Sequence, residues 1–426
     1  MSDLKDLLDR KAGRFAPHPS GWDRMQRLAD RRQRHRRLGA AIVAVTIFVG
    51  VGAALWLALR SVGPALRPTP GSTASNHVAG TALHVTNLRM VTPTAGWAMS
   101  TDPGSGRRRV LVTRDGGTTW ADVTPSGIGG DESGLSASFL DSSHAWLVWP
   151  RGRSSGPTDV TVFATGDGGR SWRNSRFIAP LGGPGQVQFV DPLHGWAIGN
   201  IVAALGHDPV EVWRTVDGGA TWRSVSVSRD PYVPNLPAPT AHALPPCSVQ
   251  ASFVDTAVGY AISLCNSGAE LYTSHDAGQT WFPVSVSPPF PQNGGPGAPA
   301  FTSMADGFIP VLAPQGQGAT GVYVSHDGGR SWTLASLPLQ AIDAGPTFAD
   351  AQHGWFFGRR KLLYATVDGG VHWSSFRPNL TLAGSTLQFI DPLHGWAFYP
   401  SGEHPWLLRT DDGGHRWEQL TPQLRR

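Results

Sequence analysis

The chain has 426 residues, a formal net charge of +4, 40% hydrophobic residues and only 15% charged ones. This length admits two or three ordinary domains, or one large repeat domain with appendages, and the apolar content excludes a chain disordered throughout. The 52 Gly, 35 Pro and 17 Trp point to an all-β protein, because Gly and Pro punctuate turns and Trp supplies large buried area.

The first predicted element is a basic tail. Residues 1–37 hold 11 Lys/Arg against 5 Asp/Glu, a balance of +6 that leaves −2 for the remainder. The nearly neutral body carries no nucleic-acid-binding signature. Lysine occurs only at Lys5, Lys11 and Lys361, and this arginine bias points to a bacterial source. Ser20 can cap a short helix carrying Trp22, Met25 and Leu28 on one stripe, and Leu4, Leu7 and Leu8 can form a shorter one. The plain reading of the tail is a topogenic segment resting on anionic lipid.

Residues 38–59, LGAAIVAVTIFVGVGAALWLAL, run uncharged between Arg37 and Arg60. A helix of this length crosses a hydrocarbon core of about 30 Å and outruns the apolar region of a signal peptide. A cleaved signal peptide is the alternative. RRQRHRR precedes the run, whereas only Arg60 and Arg67 follow closely. The positive-inside rule therefore puts the N-terminus in the cytoplasm and residues 60–426 outside a bacterial cytoplasmic membrane. Residues 60–81 are rich in Pro, Gly, Ser and Thr and read as a flexible linker.

The body from 82 to 426 is repetitive. The pattern [ST]-x-D-x-G-x-x-W occurs seven times, with aspartates Asp115, Asp167, Asp217, Asp276, Asp327, Asp368 and Asp412 and tryptophans Trp120, Trp172, Trp222, Trp281, Trp332, Trp373 and Trp417. A second motif, VQFVDPLHGWAIG at 187–199 and LQFIDPLHGWAFY at 387–399, alternates with it, again in seven copies. Each pair fits four short antiparallel strands with a hairpin turn at the aspartate, where Asp-Gly favours tight turns and the carboxylate accepts turn N–H groups. One such blade cannot bury both faces, so seven must stack radially into a β-propeller. With each blade continuous in sequence, the frame expects the ring to close by side-chain packing without a shared strand. Seven equivalent aspartates at equivalent turns argue for a structural role. His194, His353 and His394, recurring before Gly-Trp, likewise read as turn residues, and no metal-ligand spacing or cofactor motif stands out.

Cys247 and Cys265 flank the first two strands of the fourth unit. With the turn centred near Thr256, facing residues sum to about 512, so a cross-strand disulfide is expected in an oxidising compartment; free buried thiols are the alternative. Departures from the repeat are the candidate ligand-binding loops. They are Ser226–Pro246 with Arg229, Asp230 and Tyr232, Val284–Pro299 with Phe290, and the basic segments holding Arg107, Arg108 and Arg109 and Gly358–Lys361.

The paired motifs resemble the Asp-box (BNR) repeat superfamily, which includes sialidases, the sortilin ectodomain, xyloglucanases and the Ycf48/Hcf136 photosystem II assembly factors. F-x-D-x-x-x-G-W-A followed by T-x-D-G-G-x-x-W is most similar to the Ycf48/Hcf136 group. The resemblance covers about 82–426 and implies the fold more specifically than the function. The tail before the anchor is similar to the arms of bacterial membrane proteins associated with extracytoplasmic-function sigma factors, but it has no cysteine for a zinc-type anti-sigma motif.

A sialidase resemblance would imply an Arg-Ile-Pro-type entry motif, which does not occur, and a Tyr–Glu pair, for which Tyr272 with Glu270 or Glu211 is the only suggestion. Tyr260, standing where the second motif has Trp, reads as structural. Paired acid and base aspartates of the xyloglucanase kind do not stand out. The expected function is a membrane-anchored, extracytoplasmic, non-enzymatic scaffold for a protein or glycan partner. The alternatives are a glycoside hydrolase and a transmembrane sensor whose tail contacts a sigma factor or other regulator.

Overall fold

The computed structural model describes residue 83 and residues 85–425, apart from 103–105, 129–133, 152–156, 180–182, 201–207, 231–237, 292–294, 313–320, 338–344, 359–360 and 400–406. The tail, anchor and linker expected before residue 82 lie outside the described residues. Among those described, no helix is long and apolar enough to cross a membrane.

The third repeat shows how a blade forms. Its strands are Gln186–Phe189, Gly195–Asn200, Val210–Thr215 and Arg223–Val227, hydrogen-bonded in sequence order. The second motif's turn joins the first two, with Phe189 facing Gly195. The Asp-box joins the last two. Alternation buries Val187 and Phe189, while Gln186 and Gln188 are half-buried. Seven sheets of this order follow one another along the chain. The fifth departs, because its first strand is broken into Gly295–Pro296 and Ala300–Phe301, both paired with Gly307–Leu312.

The seams between blades explain the second motif. In Gly-Trp, the glycine leaves room for the blade's own phenylalanine: a Cβ on Gly195 would lie 2.6 Å from Phe189 Cε1. The next residue, Trp196, stacks on Phe253 of the following blade with ring centroids 3.8 Å apart and planes 6° off parallel. Its Nε1–H donates to the Ala277 carbonyl of that blade's Asp-box at 2.9 Å. The box tryptophan Trp281 meets the edge of the same Phe253 at 5.9 Å. The seams of the second and third, third and fourth, and sixth and seventh blades therefore hold a phenylalanine between two tryptophans, in the stacked and edge geometries aromatic quadrupoles favour. Trp146 on Phe189 and Trp355 on Phe389 repeat the stack at 3.7 and 3.8 Å. Tyr260 takes the tryptophan's place, stacking on Phe301 and donating its hydroxyl to the Gly328 carbonyl.

Ring closure differs from the expectation of side-chain packing alone. Packing is present: Trp396 of the seventh blade shares a core with Met90, Leu111 and Trp120 of the first and donates to the Gly116 carbonyl at 2.9 Å. In addition, Gln423–Leu424 joins the first blade as a fifth strand, parallel to Thr119–Asp122. The Gln423 and Arg425 N–H groups donate to Thr118 and Trp120 carbonyls at 3.2 and 2.7 Å. Connections between consecutive blades make comparable contacts. The His242 carbonyl accepts from Trp281 N–H, Ser287 bridges Thr333 in parallel, and the Asn379 amide pairs with the Trp417 backbone. A segment leaving one blade thus caps the outer edge strand of the next, which covers an otherwise open edge. The C-terminus supplies that cap where chain continuity cannot.

Candidate functional site

The Asp-box turns fix the fate of the most numerous carboxylates. In the first box, Asp115 Oδ1 accepts from the Thr113 hydroxyl at 2.9 Å and the Thr119 N–H at 2.8 Å, and Oδ2 from the Thr119 hydroxyl at 2.6 Å. The Thr113 oxygen meanwhile accepts from Gly117 N–H. The pattern recurs at Asp167, Asp217, Asp276 and Asp327. His372 replaces the hydroxyl at Asp368, and at Asp412 Oδ1 accepts from Thr410 and the Arg416 N–H. The Ser171 hydroxyl, then the Ser171 N–H, holds the Asp167 carboxyl down at about 2. The Ser331 hydroxyl does the same for Asp327, and the His372 N–H for Asp368, both to about 2. Six of the boxes' tryptophans, Trp120 among them, donate to the second glycine's carbonyl three residues back at 2.8–3.2 Å.

The recurring histidines belong to the other turn. Asp191 Oδ1 accepts from Leu193 and His194 N–H at 2.8 and 2.7 Å, and His194 Nδ1 lies 2.8 Å from Oδ2. Asp141–His144, Asp350–His353 and Asp391–His394 repeat the arrangement. Among the described residues no cluster has a metal-ligand arrangement.

The suggested Tyr–Glu pair exists but is poorly disposed for nucleophilic chemistry. Tyr272 donates to Glu270 at 2.6 Å from the third strand of its blade, Gly268–Ser274. Burial, and then the neighbouring Glu270, push the phenol's pKa upward, which disfavours the phenolate. Glu211 is 4% exposed, and burial raises its pKa against the opposing bond from Ser224.

The candidate loops lie at the end of the ring opposite the two motif turns, because strands alternate in direction. They are dispersed around it. Arg107–Arg109 belong to the first blade, Arg229 and Asp230 to the seam of the third and fourth, and Phe290 to the seam of the fourth and fifth. Arg109 is drawn to Asp102 and Asp122 at 3.4 and 3.8 Å, and Arg108 reaches the Leu135 carbonyl. Arg107 and Arg229 are exposed, Asp230 is 5% exposed, and Tyr232 lies outside the described residues. Phe290 does not present itself to a ligand: it is buried edge-on against Tyr323 at 4.9 Å. Both long insertions are pinned to the blades. Tyr323 donates to the Pro288 carbonyl at 2.6 Å, and Leu244 is buried in the seam of blades three and four. Cys247 and Cys265 are joined in a disulfide with Cα atoms 5.1 Å apart, and the strands between them pair Ser248 with Leu264 and Gln250 with Ile262.

Two further features lie outside the candidate loops. A groove of about 330 Å³ lies between the fourth and fifth blades at the motif-turn end, lined by the apolar Val254, Val258 and Met304 together with His275, Asp327 and Arg330. The other feature is the central channel that radial blades enclose. At the position preceding the motif phenylalanine, first-strand side chains knit the ring together. The Gln188 amide pairs with both backbone groups of Phe253 at 2.7 and 2.9 Å, and Gln388 does so with Met90 at 2.8 and 3.0 Å. The Ser138 hydroxyl accepts from Phe189 N–H at 3.0 Å. Arg89 occupies the same register in the first blade, opposite Trp97.

The fold, its repeat chemistry and the comparisons agree. The family model described as photosynthesis system II assembly factor YCF48 matches residues 324–425. This chain is a BNR-type propeller resembling Ycf48. Similar solved structures include YCF48 bound to D1 peptide, at 19% identity over 82% of this chain and 99% of that one, TM-score 0.48. YCF48 from Cyanidioschyzon merolae is 17% identical over 78% of this chain and 94% of that one, TM-score 0.48. The GH74 xyloglucanase from Xanthomonas campestris is 16% identical over 79% of this chain and 54% of that one, TM-score 0.52, a likeness of fold alone. No curated protein matches the chain.

Proposed function

We propose that the Asp-box propeller is a non-enzymatic binding or assembly scaffold, held by its N-terminal segment on the outer side of a bacterial cytoplasmic membrane. The observation carrying the non-enzymatic reading is the state of its repeated acids. The box carboxylates accept bonds from their own turns, and Asp167, Asp327 and Asp368 titrate at about 2. They are poor candidates for the general acid of glycoside hydrolysis, which needs a raised pKa. The family matched over residues 324–425 is described as an assembly factor, which supports a protein partner over a substrate. The charge-free run 38–59 with its flanking arginines supports the anchor. The Cys247–Cys265 disulfide supports an oxidising, extracytoplasmic compartment.

A panel of fluorogenic glycosides incubated with the purified chain tests the reading. No turnover above background is expected. Turnover abolished by a single substitution such as Glu270→Gln would replace the scaffold with a hydrolase. Protease protection of the propeller in sealed, right-side-out vesicles would overturn its placement.

A further inference from the structure

The seven first strands carry one charged side chain among their described residues, Arg89; the rest are apolar or neutral polar. Leu88 and Met90 turn into the seam with the seventh blade, so alternation sends Asn87 and Arg89 to the opposite side of the strand. Gln188 and Gln388, at Arg89's register, grip the backbone of the next blade. Arg89 makes no such bond and has no ion-pair partner among the described residues, and both it and Asn87 are exposed. Protein nonetheless surrounds the guanidinium enough to lower its pKa by desolvation. Water-accessible yet desolvated is the condition of a group lining a narrow channel. An unpaired cation held there is costly unless it meets an anion.

The neutral groups around it complete the picture. Two residues before the Arg89 level stand Asn87, Ser136, Gln250 and Thr386; Asn87 and Thr386 are exposed, and the buried Ser136 hydroxyl has no hydrogen-bond partner. The turn aspartates Asp141, Asp191, Asp350 and Asp391 lie on the connections at the motif-turn end, which favours approach of an anion from the loop end. The first strand of the first blade runs from Val85, at the loop end, to Arg89, about 13 Å at 3.3 Å per residue. That depth takes an extended end of roughly four residues.

We propose that the central channel receives an extended peptide segment from the loop end and that Arg89 binds its carboxylate, as a fork of guanidinium donors is shaped to do. The inference rests on the scaffold reading and names the chemistry of the partner. The carboxylate can be a free C-terminus or an Asp or Glu side chain.

Arrays of six-residue peptides test it, each displayed with a free C-terminal carboxylate, as the C-terminal amide, and as the amide carrying one internal Glu. They are probed with the full purified chain. Free-carboxylate peptides are expected to bind, and amidation to cost tenfold or more. Rescue by internal Glu would assign the side chain as the source. Arg89→Met removes the carboxylate preference and Arg89→Lys restores part of it, both melting like the parent. Asn87→Leu, which narrows the channel without touching the cation, weakens binding as a check independent of Arg89. Equal binding of acid and amide, or a preference unchanged in Arg89→Met, overturns the proposal. Partners that co-purify equally with parent and Arg89→Met would leave the scaffold standing and sink the channel site; a parent chain with no partner would sink the scaffold.

Discussion

Replacing Trp196 tests the account of how blades are held together. The side chain is 1% exposed, lies flat on Phe253 of the next blade and donates to the buried Ala277 carbonyl. Burying a tryptophan removes about 200 Å² from water, worth about 5 kcal/mol at 25 cal/mol per Å². Measured truncations of buried Phe or Trp to Ala run about 3–5 kcal/mol. Leaving the Ala277 carbonyl without its donor adds about 1–3 kcal/mol to a substitution that otherwise keeps the ring. Trp196→Ala is therefore expected to cost about 5 kcal/mol, and Trp196→Phe, which keeps the stack and loses the bond, about 1–3 kcal/mol. Urea unfolding followed by tryptophan fluorescence and by far-ultraviolet circular dichroism reads both. Phe282→Ala, at a ring 46% exposed, serves as the control with a small effect. If Trp196→Ala falls within 1 kcal/mol of the control, inter-blade stacking does not carry the seam and the reasoning fails.

Three further outcomes follow from the turns and the closure. Ala277 stands where the other boxes have their first glycine, at φ 63°; Ala277→Gly should raise stability by about 1 kcal/mol, since that conformation costs an L-residue about 1–2 kcal/mol, and an unchanged or lower melting temperature would contradict it. Asp327 is held at about 2 in the fold against about 3.9 in an unfolded chain. Its contribution is therefore present above about pH 4 and lost as pH falls through about 2. The stability gap between the parent and Asp327→Asn should be full at neutral pH and shrink over that window, and a gap constant down to pH 2 would refute the assignment. Ending the chain after Thr421 removes the two backbone bonds to the first blade. A loss of about 1–3 kcal/mol is expected at 0.5–1.5 kcal/mol per bond, together with faster proteolysis between the first and seventh blades. Unchanged protease resistance would show the cap to be dispensable.

The blade count was legible because two motifs of different chemistry repeat in step, and each repeated residue has a visible local task. Asp and Ser/Thr satisfy the turn, Gly makes room for Phe, and Trp reaches the next blade. The facing of Cys247 and Cys265 was legible for a related reason, since a short hairpin fixes register by counting outward from its turn. The C-terminal cap was not legible. Gln423 and Leu424 contribute backbone groups, and nothing in two ordinary residues announces a parallel strand on a blade 300 residues earlier. Phe290 was misread for a similar reason. An aromatic in a Pro/Gly-rich insertion reads as exposed until Tyr323, more than 30 residues away, is seen beneath it. Arg89 was overlooked because it hides in a repeat position. Its signal was the residue before the motif phenylalanine, where other blades have Gln, Ser, Thr or Ala and the first has a charge.

The scaffold reading is tested most directly by affinity purification of the intact chain from its own membranes, after cross-linking in intact cells. The account predicts a specific protein recovered in stoichiometric amount, cross-linked to the propeller on the extracytoplasmic side. A chain that comes out alone, or one cross-linked to cytoplasmic proteins through its blades, would contradict it.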